Sequence, residues 1–259
     1  MKLSPSVSTA PSEPAFVGVA LSDREGAHVR IFQDGGAHWI SAERMIGGSL
    51  LTSRVVLSPE QYATLVSFTA EERSGLVSLE VERKWRVNDR DIQEFLEALV
   101  SEGISSTATF IEQGYLVLGG SEVRLRRRGA DLFLTLKSSG GLIRREVEVA
   151  LSPEQFEVLW VATEGRRLEK TRTSFALPQS PGAPLAVEFD QFHGALSLLQ
   201  ILECEFPSAA IAESFEAPSW FGVEVTEDAA YKNRALVEDG APHLQDDLSL
   251  KEPHKHQDE

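Results

Sequence analysis

From Leu76 onward, apolar and polar positions alternate with period two in one run after another, the signature of strands with one greasy and one polar face. Leu76-Val77-Ser78-Leu79 leads into Glu80-Val81-Glu82-Arg83-Lys84-Trp85, which predicts a strand with Glu80, Glu82 and Lys84 on one face and Val81, Arg83 and Trp85 on the other. The period then changes. Asn88 to Val100 reads as a helix, with Asp89 and Asp91 in its first turn and Phe95, Leu96 and Leu99 along one side. Strands are predicted at Thr107–Ile111 and, separately, around Tyr115–Leu118. A hairpin follows, with arms Ser121–Arg128 and Asp131–Lys137 joined at Gly129-Ala130. Gly140-Gly141 turns the chain into a strand from Ile143 to Leu151, and a helix covers Pro153 to Val161. Further strands are predicted at Arg167–Phe175, Leu185–Phe189 and Leu198–Phe206, with a short helix at Ala209–Phe215. The succession predicts an α+β, mainly β chain built on an antiparallel barrel.

The first quarter of the chain echoes a later part. Leu57-Ser58-Pro59-Glu60-Gln61-Tyr62 matches Leu151-Ser152-Pro153-Glu154-Gln155-Phe156 at an offset of 94. At the same offset, without gaps, Gly47 meets Gly141, Gly35 meets Gly129, and Val29-Arg30-Ile31 meets Val123-Arg124-Leu125. Ser as N-cap, Pro at the first helical position and Gln at the third form a general helix start. An ungapped match running on through two turn glycines goes beyond that, and points to a duplicated strand–turn–strand–helix unit. The copies differ in their polar residues: Arg126 stands opposite Phe32, Lys137 opposite Glu43, Glu146 opposite Thr52 and Glu148 opposite Arg54. Residues 15–75 are therefore expected to be a degenerate, non-catalytic half-repeat that packs on the main domain or on a partner, and residues 76–239 to be the working domain.

Composition narrows the setting. The chain has 259 residues, 42% hydrophobic and 25% charged, with a formal net charge of -15. That balance argues against non-specific binding to nucleic acid or to anionic lipid. A single cysteine, Cys204, cannot form an internal disulfide and suits a cytoplasmic setting. No apolar run approaches the roughly 20 residues of a membrane span. Residues 1–14, rich in Ser and Pro, read as a disordered leader, and residues 240–259 as a disordered polar tail whose His254 and His256 have no assigned role.

The polar faces of the strands carry the candidate chemistry. Arg124 and Arg126 share a face, as do Thr135 and Lys137; Arg144, Glu146 and Glu148; Lys170 and Arg172; Glu188 and Asp190; and Glu203 and Glu205. These faces are almost wholly ionic, whereas exposed strand faces usually mix Thr, Ser, Gln and Lys. An ionic tunnel, with apolar faces covered from outside by helices, accounts for the pattern. Lys84, Arg124, Arg126, Lys137, Arg144, Lys170 and Arg172 nearly balance Glu80, Glu82, Glu146, Glu148, Glu188, Asp190, Glu203 and Glu205. Arg and Lys clusters bind phosphate oxygens. Carboxylates without His or Cys suit hard cations such as Mg²⁺ or Mn²⁺. Together they describe a site for a polyphosphate accompanied by divalent metal.

In order along the chain, the series Glu80-x-Glu82-x-Lys84, Gln113-Gly114-Tyr115-Leu116, Val123-Arg124-Leu125-Arg126, Leu134-Thr135-Leu136-Lys137, Arg144 with Glu146 and Glu148, Glu169-Lys170-Thr171-Arg172, Val187-Glu188-Phe189-Asp190, Glu203-Cys204-Glu205 and Trp220-Phe221-Gly222 with Tyr231-Lys232-Asn233 resembles the CYTH superfamily, the triphosphate tunnel metalloenzymes. It is most similar to the short bacterial members that act on inorganic triphosphate. The resemblance implies a closed eight-stranded barrel, two metal sites, and metal-dependent hydrolysis of triphosphate; class IV adenylate cyclase and nucleoside or thiamine triphosphatase are family alternatives, and a polyphosphate-binding module with lapsed catalysis is a third. It implies that Lys84, Arg124, Arg126, Lys137, Arg144, Lys170 and Arg172 hold substrate, and that metal is drawn to Glu80, Glu82, Glu146, Glu148, Glu188, Asp190, Glu203 and Glu205. Lys84, Lys170 and Glu82 are the catalytic candidates. A homodimer is compatible with the resemblance, although the added N-terminal half-repeat puts it in question.

Overall fold

The structure is a computed structural model that describes residues 18–69, 78–101, 103–139, 142–176, 184–218 and 221–242. The expected leader, the Gly140-Gly141 turn, Trp220 and the tail beyond residue 242 lie outside the described residues.

The chain begins with β1 (Gly18–Ser22), β2 (His28–Asp34), β3 (Ala37–Ile46), β4 (Ser49–Leu57) and helix α1 (Pro59–Ser67). The four strands form an antiparallel sheet in sequence order. Then come β5 (Ser78–Arg86), α2 (Asp89–Ser101), β6 (Ser106–Val117), β7 (Ser121–Arg128), β8 (Asp131–Ser138), β9 (Ile143–Ala150) and α3 (Pro153–Trp160). The chain continues through β10 (Arg167–Phe175), β11 (Ala186–Phe192), β12 (Gln200–Glu205), α4 (Ala209–Ser214), β13 (Val223–Glu224) and α5 (Asn233–Asp239).

Eight of these strands close into a barrel in the order β12-β11-β10-β6-β7-β8-β9-β5, and β5 pairs back to β12 through registers such as Leu202 opposite Trp85. Closure leaves no open edge among the eight. β9 pairs only with the first part of β5, Ser78 to Val81; the short β13 takes over beside Trp85 and Arg86. The N-terminal unit has more strands than the strand–turn–strand–helix expected, because β1 pairs with β2 as the second part of β6 pairs with β7.

The expected break between Thr107–Ile111 and Tyr115–Leu118 does not occur. β6 runs unbroken from Ser106 to Val117, with a register irregularity between Tyr115 and Val117. Gly114 is there for close approach, since a Cβ at that position would lie 2.5 Å from Thr163 Oγ1 and 2.9 Å from the Trp160 ring.

Three apolar clusters surround the barrel. One joins the N-terminal sheet and α1 to β7, β8, β9 and α3, through residues such as Ile31, Ile40, Leu65, Leu125, Leu134 and Leu159. The half-repeat thus packs on the barrel. A second places α2 and α4 over the outward faces of β5, β11 and β12, with Trp85 edge-on to Phe221 and Cys204 buried beside them. A third seals one end with Tyr115, Phe192, Val225 and Leu236 of α5. No helix among the described residues is long and apolar enough to cross a membrane.

Candidate active site

Alternation along each strand sends apolar side chains outward and ionic ones inward, opposite to a simple sheet packed on a central core. The inward faces line a cavity of about 320 Å³. All the candidate site residues reach it except Glu148 and Asp190: Glu80, Glu82, Lys84, Arg124, Arg126, Lys137, Arg144, Glu146, Lys170, Arg172, Glu188, Glu203 and Glu205 are among its walls. Gln113, Glu122, Arg128, Lys232 and Asn233 line it too and were not assigned. Glu122 and Arg128 follow from the same period that places Arg124 and Arg126 on one face. Lys232 and Asn233 precede or begin α5, and only the closure of the chain over the barrel end brings them in.

The order of strands around the barrel sorts these charges into two walls. Strands β10, β7 and β8 supply Lys170, Arg172, Arg124, Arg126, Arg128 and Lys137, and β6, between β10 and β7, adds the neutral Gln113. The other four, β9, β5, β12 and β11, supply Glu146, Glu80, Glu82, Glu203, Glu205 and Glu188. Glu122 on the basic side, and Lys84 and Arg144 on the acidic side, are the exceptions.

Ion pairs run between the walls and within the acidic one. Lys137 bonds Glu80 at 2.9 Å and Glu146 at 2.6 Å, while Arg124 approaches Glu146 at 3.7 Å. Arg144 pairs with Glu82 and, at 3.3 Å, with Glu80. Lys84 pairs with Glu203 and, at 3.2 Å, with Glu82. Arg172 holds Asp190 through two nitrogens at 2.7 and 2.6 Å and also pairs with Glu188 and Glu203. Asp190, fully buried, lies behind the cavity wall, where it also accepts from Lys170. Glu148 pairs with Arg126 and accepts from Thr135 at 2.9 Å.

These pairings set the protonation states. Burial opposes charge on Glu80, yet Lys137 and Arg144 hold its carboxyl down to about 2. Burial likewise works against Glu203, and Lys84 and Arg172 overcome it, holding its carboxyl well below the usual range. Burial also disfavours the Lys84 ammonium, but Glu203 more than compensates and raises it. Lys170 differs: burial and the neighbouring Arg172 lower it to about 8 despite Asp190 and Glu203. Burial and the nearby Arg124 push Arg126 down, and its Nε has no hydrogen-bond partner. Glu205 moves up through burial and through repulsion from Glu188, Glu80 and Glu203.

Among the described residues, no three acidic, His or Cys side chains are gathered closely enough to hold a metal ion. The carboxylates expected to cluster are spread over cations of the tunnel, as mutual neutralisation in a buried space requires. The anionic groups of the acidic wall are all carboxylates, the donor type a hard divalent cation takes, and Glu205 among them is pushed up by burial and by the charges of Glu188, Glu80 and Glu203. Tyr115 is buried in the third apolar cluster, accepting a bond from Gln113; burial, followed by Glu122, raises its hydroxyl. Outside the tunnel, Arg83 forks onto Glu224 at 2.7 and 2.6 Å, so Glu224 is a structural partner. His193 contacts Thr171 at 2.8 Å and is not among the residues lining the cavity.

An inorganic triphosphatase from Nitrosomonas europaea is 48% identical over 147 residues, which are 56% of this chain and 94% of that protein. This chain belongs to the same family, the triphosphate tunnel metalloenzymes of the CYTH superfamily. A solved structure of an inorganic triphosphatase is 40% identical, covering 63% of this chain and 97% of that one, with a TM-score of 0.43. A Pyrococcus horikoshii protein of known structure is 21% identical, covering 52% of this chain and 82% of that one, with a TM-score of 0.41. No family model matches the chain. The tunnel metalloenzyme assignment thus rests on sequence identity with a relative that this chain covers almost completely, and the closed barrel is the architecture it carries.

Proposed function

We propose that the protein hydrolyses inorganic triphosphate to pyrophosphate and phosphate inside the barrel, with Mg²⁺ or Mn²⁺. The observation that carries this reading is the pair of opposed ionic walls, basic on β10, β7 and β8 and acidic on β9, β5, β12 and β11. A linear anion with charge along its whole length fits between them; an elongated organic substrate would leave many of these groups without partners.

Arg124, Arg126, Lys137 and Arg172 take the phosphoryl oxygens, the guanidinium groups as two-pronged donors. Lys84 and Arg144 reach the same anion from the acidic side. Glu80, Glu82, Glu203 and Glu205 are the residues that would hold a divalent cation, with Glu146 and Glu188 beside them. Such a cation supplies charge neutralisation of the phosphates and acidification of a bound water. The reaction is an in-line attack of water oxygen on a terminal phosphorus: the bond from phosphorus to the bridging oxygen breaks, and pyrophosphate departs. The basic wall stabilises the charge that develops on that leaving group. Lys170, lowered to about 8, has a neutral fraction near pH 8 that accepts the proton of the attacking water, and Asp190 orients its amine. Glu82 orients Lys84 and Arg144.

Phosphorus NMR of the full chain with inorganic triphosphate and Mg²⁺ tests the reading. One phosphate and one pyrophosphate should appear per triphosphate consumed, and EDTA should stop the reaction. Turnover that persists in EDTA, or three phosphates from each substrate with no pyrophosphate, would contradict it.

A further inference from the structure

The N-terminal unit and the barrel segment it touches are related by a pseudo-two-fold axis. β2, β3, β4 and α1 fall on β7, β8, β9 and α3 at the sequence offset of 94, element for element. The two helices begin with the same complete capping box, Ser58 with Gln61 and Ser152 with Gln155. At the seam the contacts are reciprocal. Gln61 Nε2 donates to the carbonyl of Ala150, and Gln155 Nε2 donates to the carbonyl of Val56, both at 2.6 Å. Each glutamine also donates to the other's Oε1 at 3.1 Å. Ala150 and Val56 are themselves equivalent positions, and Leu65 and Leu159, also equivalent, are both fully buried in the shared core. This is the geometry of an isologous interface, where residue i meets residue j and j meets i.

We propose that the β7–β9/α3 face of the barrel is a self-pairing surface, and that the N-terminal unit is an internal copy occupying the place of a second chain. The protein then carries its own half-partner and stands as a single chain with one tunnel. Two features support the assignment of a second copy as the partner this face fits. The family relative is matched over 94% of its length by 147 residues, so the remainder of that protein is far too short for a four-strand unit. The face of β2–β4 equivalent to the tunnel lining carries Phe32, Trp39 and Arg54, with Arg54 stacked over both rings on the solvent side. Arg54 and its partner Asp34 are 41% and 55% exposed there, so this side is open where the remaining strands of a second barrel would continue. The divergence of the copy fits this role: the buried, interface-facing residues remain apolar, whereas in the set equivalent to the inward ionic face Phe32 replaces Arg126, Thr52 replaces Glu146, and Glu43 and Arg54 reverse the charges of Lys137 and Glu148.

The test uses the full chain and its mass by sedimentation, with a Gln155→Cys substitution as a trap on the axis; Cys204, the native cysteine, is buried. The parent chain should sediment as one copy, and Gln155→Cys alone should give no interchain disulfide. Leu65→Asp, which repels the N-terminal unit but leaves the barrel face intact, should double the mass and, combined with Gln155→Cys, let the introduced thiol cross-link two chains. The mirror variant Leu159→Asp, which spoils the barrel face itself, should remain single. Circular dichroism and a cooperative melt establish folding of each. If Leu65→Asp does not fold, Gln61→Arg, which disturbs only the seam, should still raise the fraction cross-linked through Gln155→Cys at least several-fold over that substitution alone. A folded Leu65→Asp that stays single, a Gln61→Arg that traps no more than Gln155→Cys alone, or a Gln155→Cys chain that cross-links without any second change, would each overturn the proposal.

Discussion

Arg126→Ala separates the two jobs a tunnel cation can have. Arg126 pairs with Glu148, but its Nε has no partner, and burial together with Arg124 pushes its pKa down. It is thus an incompletely compensated cation of the basic wall. Its partner is not stranded by the substitution: Glu148 keeps the Thr135 hydroxyl at 2.9 Å, and its side chain is 26% exposed. Stability should therefore change by no more than about 1 kcal/mol. Substrate binding is another matter. Two charge-assisted bonds to phosphoryl oxygen, at about 1.5–3 kcal/mol each, amount to about 3–6 kcal/mol. In kcat/KM that is a loss of roughly 150- to 25,000-fold. The assay is phosphate release from inorganic triphosphate under saturating Mg²⁺, paired with urea unfolding of the same preparation. A variant that unfolds like the parent and keeps kcat/KM within threefold would refute the assignment of the basic wall to substrate.

Three further outcomes follow from the same geometry. Glu205→Gln removes a carboxylate repelled by Glu188, Glu80 and Glu203, so the melting temperature should hold or rise while the Mg²⁺ concentration for half-activity rises at least tenfold; an unchanged metal requirement would remove Glu205 from the metal site. Lys170, held near 8 by burial and by Arg172, is charged below that pH and neutral above it, so kcat/KM should rise through a limb near pH 8, and a limb surviving in Lys170→Arg would belong to another group. Asp23→Ala strips Arg166 of a partner at 2.7 Å in a site where both side chains are almost fully buried, which should cost about 3–5 kcal/mol, seen as a melting temperature lower by about 10 °C; a shift under about 2 °C would show that Glu25 alone suffices.

Much of the barrel is legible in the alternation of charge and apolar residues. The runs Arg124–Arg126, Lys170–Arg172 and Glu203–Glu205 place their charges on one side because strand geometry allows nothing else. The half-repeat shows in its caps: Ser-Pro-Glu-Gln occurs twice because each helix start must satisfy the same backbone groups, and Gln61 and Gln155 then find each other across the seam. What is not legible is set by contacts between distant segments. Gly114 reads as a strand break, but its missing side chain makes room for Thr163 and Trp160. Asp23, in a turn of the half-repeat, reaches Arg166 and the backbone of Leu118 across the interface, and no local pattern marks it. Lys232 enters the cavity only because α5 closes over the end of the barrel. Spacing shows that the carboxylates share a face, not which cation stands opposite each; Glu80 meets Lys137 and Glu203 meets Lys84 across strands far apart in sequence.

The most direct measurement is the ratio of kcat/KM for inorganic triphosphate to that for ATP and for thiamine triphosphate, each with Mg²⁺ or Mn²⁺, beside Glu82→Ala. The two-walled tunnel predicts a preference of at least a hundredfold for inorganic triphosphate, with turnover lost in Glu82→Ala. Equal or better turnover of ATP, or release of a cyclic nucleotide from it, would contradict that account.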